Sequence, residues 1–332
     1  MKTVLVGTSI LVVTLISVAQ IGIMAPEARF EIDVRPSGRE GHCLVYDAAN
    51  RRVILLDGYQ PPHKPEFGEV WSWDGKHWEI IPGHGPTARS LSGAVYDSRR
   101  KRIVLFGGVG NKGYEDLRGD TWEWDGKRWW EMSDRAIGTR DHHAMVYDEA
   151  RAKTVMYGGV NAAREFVKDT CEWDGTKWTR IAAPGPGGRV HFAMTYDSSR
   201  KKVVLFGGSG EDRRKLNDTW EWDGANWTQV SNQGPSPRSH HRMAYDKRNG
   251  VSILYGGAAA STQPGIEVLD DMWAWDGKRW TEIKTKGPGK RFLQAMTYDV
   301  SRGRLVLYGG GDGRNLLDDT WEWDGKQWIF VK

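Results

Sequence analysis

A chain of 332 residues with Gly 41, Pro 13, Trp 18 and a mean hydropathy of −0.60 is turn-rich, aromatic-rich and polar outside, which excludes a helical bundle and a polytopic membrane protein. Its formal net charge of +4, from 47 basic and 43 acidic residues spread along the chain, is too mild to imply a nucleic-acid partner. Two cysteines exclude a disulfide scaffold, and without Cys-x-x-Cys or Cys/His ligand spacing neither a metal site nor a cofactor is expected.

The first element in chain order is an uncharged run from Thr3 to Pro26 behind Lys2, and residues 1–28 are read as an export signal or an N-terminal membrane anchor. Ser17 and Ala19 fit the small-x-small rule for cleavage after Ala19, whereas the apolar stretch Val4–Met24 is long enough to span a bilayer uncleaved. Either outcome places the rest of the chain outside the cytoplasm, in a periplasm, at a cell surface or secreted, and any membrane contact is through this segment. Residues 29–38 form a lead in which Phe30–Val34 is strand-like and a candidate closing strap.

Residues 39–332 are one unit written six times. The YD aspartates Asp47, Asp97, Asp148, Asp197, Asp246 and Asp299 are 50, 51, 49, 49 and 53 residues apart, a period typical of propeller-like arrays. Eight positions before each stands an arginine: Arg39, Arg89, Arg140, Arg189, Arg238 and Arg291. Ten positions after each comes a glycine pair, degraded to Asp57-Gly58 in the first copy, and then a segment of the form TWEWDGKRW. Within a copy, the stretch His191–Tyr196 reads as a first strand, VVLFGG as a buried second strand, and DTWEW as a third. Asp223-Gly224 then turns tightly into a fourth strand carrying Trp227 and Val230. A lone four-stranded sheet with apolar residues on both faces cannot cover them, whereas six set radially cover one another.

The glycine pair after a VLFGG-like strand, the aromatic third strand and the tryptophan of the fourth resemble the kelch repeat over residues 39–332. The resemblance implies an all-β, six-bladed β-propeller with four antiparallel strands per blade, the blades falling at about 39–88, 89–139, 140–188, 189–237, 238–290 and 291–332. Departures are local: Glu69 replaces the aspartate found at Asp120, Asp169, Asp218, Asp271 and Asp319, and Cys171 replaces a tryptophan.

Topology puts the repeat arginines and the loops after the glycine pairs on one face, the face where kelch proteins usually hold ligands. One reading of the arginines is structural, each pairing with a third-strand acid. The other makes Arg140 and Arg189 part of a site with the histidines that follow them: His142, His143, His191, His240 and His241. The positions of His142, His191 and His240 carry histidine only in copies three to five, which concentrates imidazole on half of the ring. The loops of copies three and four add Arg164, Arg213 and Arg214, so an anionic ligand is expected. The function expected is a module that binds a protein or a carbohydrate. The alternative is an enzyme acting on acidic sugars, resembling N-acetylneuraminate epimerase, with His143 or Glu165 moving protons. Copper chemistry of the galactose oxidase type needs a cysteine crosslinked to a tyrosine. Cys43 and Tyr59 are the nearest material for it, but the repeated YD tyrosines lie toward the opposite face.

Overall fold

The computed structural model describes residues 34–60, 68–83, 85–132, 136–260 and 266–332. The expected signal or anchor, and all of the strand-like Phe30–Val34 except Val34, lie outside the described residues. Val34 itself is exposed and not in a strand.

Each repeat folds into four antiparallel strands, and no helix occurs among the described residues. Blade four shows the plan, with Ala193–Asp197, Lys202–Gly210, Lys215–Trp222 and Trp227–Ser231 hydrogen-bonded in chain order. Its second strand is an unbroken apolar run because both faces are covered: Val203, Val204, Leu205 and Phe206 are all 0% exposed. The six first strands stand around a central axis, each touching the next, and Ala295–Asp299 touches Cys43–Asp47 to complete the circle. The apolar core is divided into clusters that lie between blades. One joins Val204 and Phe206 of blade four to Met243, Leu254 and Trp275 of blade five. Another joins Leu44 and Trp73 of blade one to Val306 and Tyr308 of blade six.

The YD and WDG motifs are the polar fastening of this core. Asp197 Oδ1 accepts the backbone N–H groups of Ser199 and Arg200, and Arg200 spans Asp197 (2.7 Å) and Glu221 (2.6 Å). Glu221 in turn accepts the Trp275 indole N–H of blade five at 3.1 Å, and Thr219 Oγ1 accepts that of Trp280 at 2.8 Å. The ring closes with the same two bonds, Trp73 to Glu322 (3.0 Å) and Trp78 to Thr320 (2.9 Å). Trp328–Phe330 completes blade six from its own repeat, so among the described residues no strand is shared between first and last blades. The described part of the lead, residues 34–38, is nevertheless fixed to blade six, where the Pro36 carbonyl accepts the Tyr308 hydroxyl at 2.6 Å and Arg35 meets Asp318 at 3.3 Å.

The glycine pairs are needed where blades meet. Gly207 has φ 62°, and a Cβ there would stand 3.0 Å from the Arg238 carbonyl oxygen of blade five.

Candidate functional site

On the loop face, the second residue after each repeat arginine reaches the axis with positive φ: Gly41 (61°), Leu91 (57°), His142 (53°), His191 (55°), His240 (59°) and Leu293 (53°). These residues form a belt of backbone hydrogen bonds. Leu91 N–H donates to Gly41 (2.8 Å), His142 to Leu91 (3.2 Å), His240 to His191 (2.8 Å), Leu293 to His240 (3.0 Å) and Gly41 to Leu293 (3.2 Å). At the link that is missing, the rings of His142 and His191 meet edge-on at 4.1 Å, and His191 stacks on His240 at 3.7 Å. The three histidines singled out by their asymmetry therefore form one stack. Burial first, and then neighbouring positive groups, hold His191 and His240 well below the ordinary histidine range, so both are neutral near pH 7. At the end of the stack, Ser239 Oγ lies 2.7 Å from His240 Nδ1 and accepts Lys215 Nζ at 2.5 Å.

Arg140 and Arg189 are buried and engaged. Arg189 donates twice to Asp218, at 2.9 Å each, and once to the Gly207 carbonyl at 3.0 Å. Arg140 binds Asp169 at 2.7 and 3.3 Å. Arg89, Arg238 and Arg291 repeat the arrangement with Asp120, Asp271 and Asp319. In the first copy Arg39 binds the Asp57 carbonyl at 3.2 Å, and Glu69 accepts the Trp71 indole at 3.0 Å.

The next histidines fasten one blade to the preceding one. His241 Nε2 lies 3.2 Å from the Phe206 carbonyl, and Gln294 makes the equivalent bond to Tyr255 at 2.9 Å. His143 packs edge-on against Phe106 at 5.5 Å. Burial, then the charges of Arg140 and His142, push its pKa down to about 3.

The loop arginines differ in their surroundings. Arg213 (φ 64°) and Arg214 sit in an exposed turn, with Arg214 bonded to Asp212 at 2.5 Å. Arg164 instead reaches across to blade two and covers the Tyr114 ring at 4.9 Å. Glu165 beside it is tied to Asn161 at 3.0 Å in the outer loop, whereas His143 lines the central channel, so these two are not brought together.

Tyr114 borders a cavity of about 430 Å³ between blades one, two and three, lined also by Tyr59, Leu91, Val109, Asp141 and His142. The Asp141 carboxylate is buried and its Oδ1 lies 2.9 Å from His142 Nδ1 without hydrogen-bond geometry, so neither carboxylate oxygen has a hydrogen-bond partner among the described residues. Tyr59 donates its hydroxyl to Glu40 at 3.0 Å.

Sequence reasoning named His142 but not Asp141 or Tyr114. The signal for Asp141 was present: after the repeat arginine the copies hold Glu40, Ser90, Asp141, Val190, Ser239 and Phe292, an irregular column in a regular array.

A protein-family model described as the KLHDC2/KLHL20/DRC7 Kelch-repeats domain matches residues 171–332. A solved structure titled "Structure of YjhT" superposes with a TM-score of 0.71 over 90% of this chain and 98% of that chain, at 15% identity. The chain is a kelch-repeat β-propeller. No curated protein matches it in sequence. Within this kelch propeller, Cys43 and Tyr59 line different cavities. The Cys43 thiol donates to the Ser92 carbonyl at 3.3 Å and does not share a cavity with the Tyr59 ring, whose carbon a thioether crosslink would require.

Proposed function

We propose that this kelch propeller is an exported binding module that receives an anionic carbohydrate or protein segment at the loop mouth of blades one to three. The observation that carries this reading is the Tyr59–Tyr114 cavity with Arg164 at its rim, on a face where the repeat arginines of blades two to six are already paired with aspartates. A volume of about 430 Å³ suits a sugar ring or one peptide side chain with its neighbours. Tyrosine rings offer flat contact area at low entropic cost, and Asp141 and His142 supply polar groups at the wall. Export rests on the Thr3–Pro26 run, and fractionation of expressing cells tests it.

The test of the site is calorimetric titration with neutral sugars, acidic sugars and acidic peptides. Tyr114→Ala and Arg164→Glu should each weaken binding tenfold or more while melting is unchanged. Binding that survives both changes, or is lost through substitutions on the hairpin face, would refute the placement.

The Asp141–His142 pair favours a second reading, proton transfer on an acidic sugar. Solvent exchange at a sugar carbon or an anomeric interconversion, followed by NMR, should then vanish in His142→Gln with sugar affinity retained.

A further inference from the structure

Below the belt of positive-φ residues the axis is hollow. An inner chamber of about 140 Å³ and an outer one of about 340 Å³ share a collar formed by Leu44, Ala94, Met145, Met194, Met243 and Met296. The outer chamber is bordered by Ala48, Ser98 and Val300 of the YD hairpins, so it opens on the hairpin face. An ion pair between Lys247 and Glu149, 2.6 Å, joins blades five and three beside this opening.

Four residues after the repeat arginine, five copies present small side chains to the inner chamber: Cys43, Gly93, Ala144, Ala193 and Ala295. The fifth copy presents Arg242. Its guanidinium donates to the His241 carbonyl at 3.3 Å, and no carboxylate lies within ion-pair distance of it among the described residues. The groups lining the chamber supply no negative charge. Burial pushes the Cys43 thiol up to about 12, and burial holds His42 and His143 low, so all three are neutral. Asp57, behind the Cys43 wall, accepts the Ser92 hydroxyl at 2.6 Å. An enclosed guanidinium remains protonated, and leaving it without a counter-charge is costly.

We infer that the inner chamber holds a small anion, of halide to simple oxyanion size, on Arg242, and that the anion enters from the hairpin face. The chamber has room for roughly five waters at about 30 Å³ each, which fits nitrate or phosphate and excludes a sugar ring. The belt separates this site from the loop mouth, so it stands independently of the ligand proposed there.

The test titrates the full chain with sodium iodide, nitrate or phosphate at constant ionic strength, balanced with gluconate, which is too large for the chamber. At one hundred times the dissociation constant, melting should rise by about 4 °C for a fitting anion and not for gluconate. Crystals soaked in iodide should show an anomalous peak beside Arg242. Arg242→Met, which extends the methionine collar, should lose both effects, and Arg242→Lys should keep part of the melting response. An equal melting response in Arg242→Met, or iodide confined to exposed sites such as Arg213 and Arg214, would overturn the proposal. Should Arg242→Met fail to fold, the iodide peak in the unaltered protein and the Arg242→Lys titration decide the question.

Discussion

Asp57 stands where five other copies have glycine, with φ 63° and its carboxylate buried. Burial pushes its pKa up, and Arg89 and the Ser92 hydroxyl only partly counter this, leaving it at about 6. A folded state that holds this proton more tightly than the unfolded chain loses stability as pH rises from about 4 to about 6, and the loss is complete above that. Asp57→Asn keeps an acceptor for Ser92 and tolerates positive φ. It should gain on the order of 2 kcal/mol at pH 7 and flatten stability between pH 4.5 and 7 in urea titrations. Asp120, Asp169 and Asp271 behave in the opposite sense. Burial raises them, but the hydrogen bonds and charges of Arg89, Arg140 and Arg238 outweigh it and hold them low. Their contribution is full above the ordinary carboxylate range and is lost as pH falls through their lowered values. Arg189→Ala leaves the partly buried Asp218 with only the Trp220 indole N–H and should cost about 2–3 kcal/mol by denaturant titration. Reversing Arg213 and Arg214 to Glu, in contrast, should leave melting unchanged.

At the scale of the strand, the acceptor for each fourth-strand indole is supplied by the preceding blade, and two blades fail to supply it. Val70 and Met272 stand where Thr219 stands, and the indole N–H groups of Trp129 and Trp328 have no partner among the described residues. Val70→Thr keeps the shape and adds the missing oxygen, so the denaturant midpoint should rise by the equivalent of about 1 kcal/mol. The strands, the turns and the six-blade, four-strand plan were legible in the sequence because period-2 patterning and fixed glycine and aspartate positions survive in six copies. The pairing of arginines with third-strand acids was legible as one of two readings, since the two columns match in number. Other features were not. Arg242 looks like one more polar residue at a strand start, and only closing the ring turns that position into a chamber wall. Tyr114 and Arg164 belong to loops without a repeat, so their meeting across two blades has no trace in the sequence. The histidine cluster was visible, but its stacking follows from the belt's positive φ and the neutrality of His191 and His240 from burial.

For the whole molecule, each blade's apolar faces are covered only by its neighbours, so the ring is stable as a set. Deleting residues 189–237, one full period, should leave a five-blade remnant that aggregates or loses its cooperative melt, seen by size exclusion and circular dichroism. The seam between blades six and one has a full pair of indole bonds, Trp73 to Glu322 and Trp78 to Thr320. The seams entering blades two and six, beside Val70 and Met272, each lack the threonine acceptor. A ring opens at its weakest joint, wherever the chain happens to begin. Transient breathing therefore starts at those two seams, and backbone amides on the second strands of blades two and six will be the first of their kind to exchange with solvent, ahead of those at the seam between blades six and one.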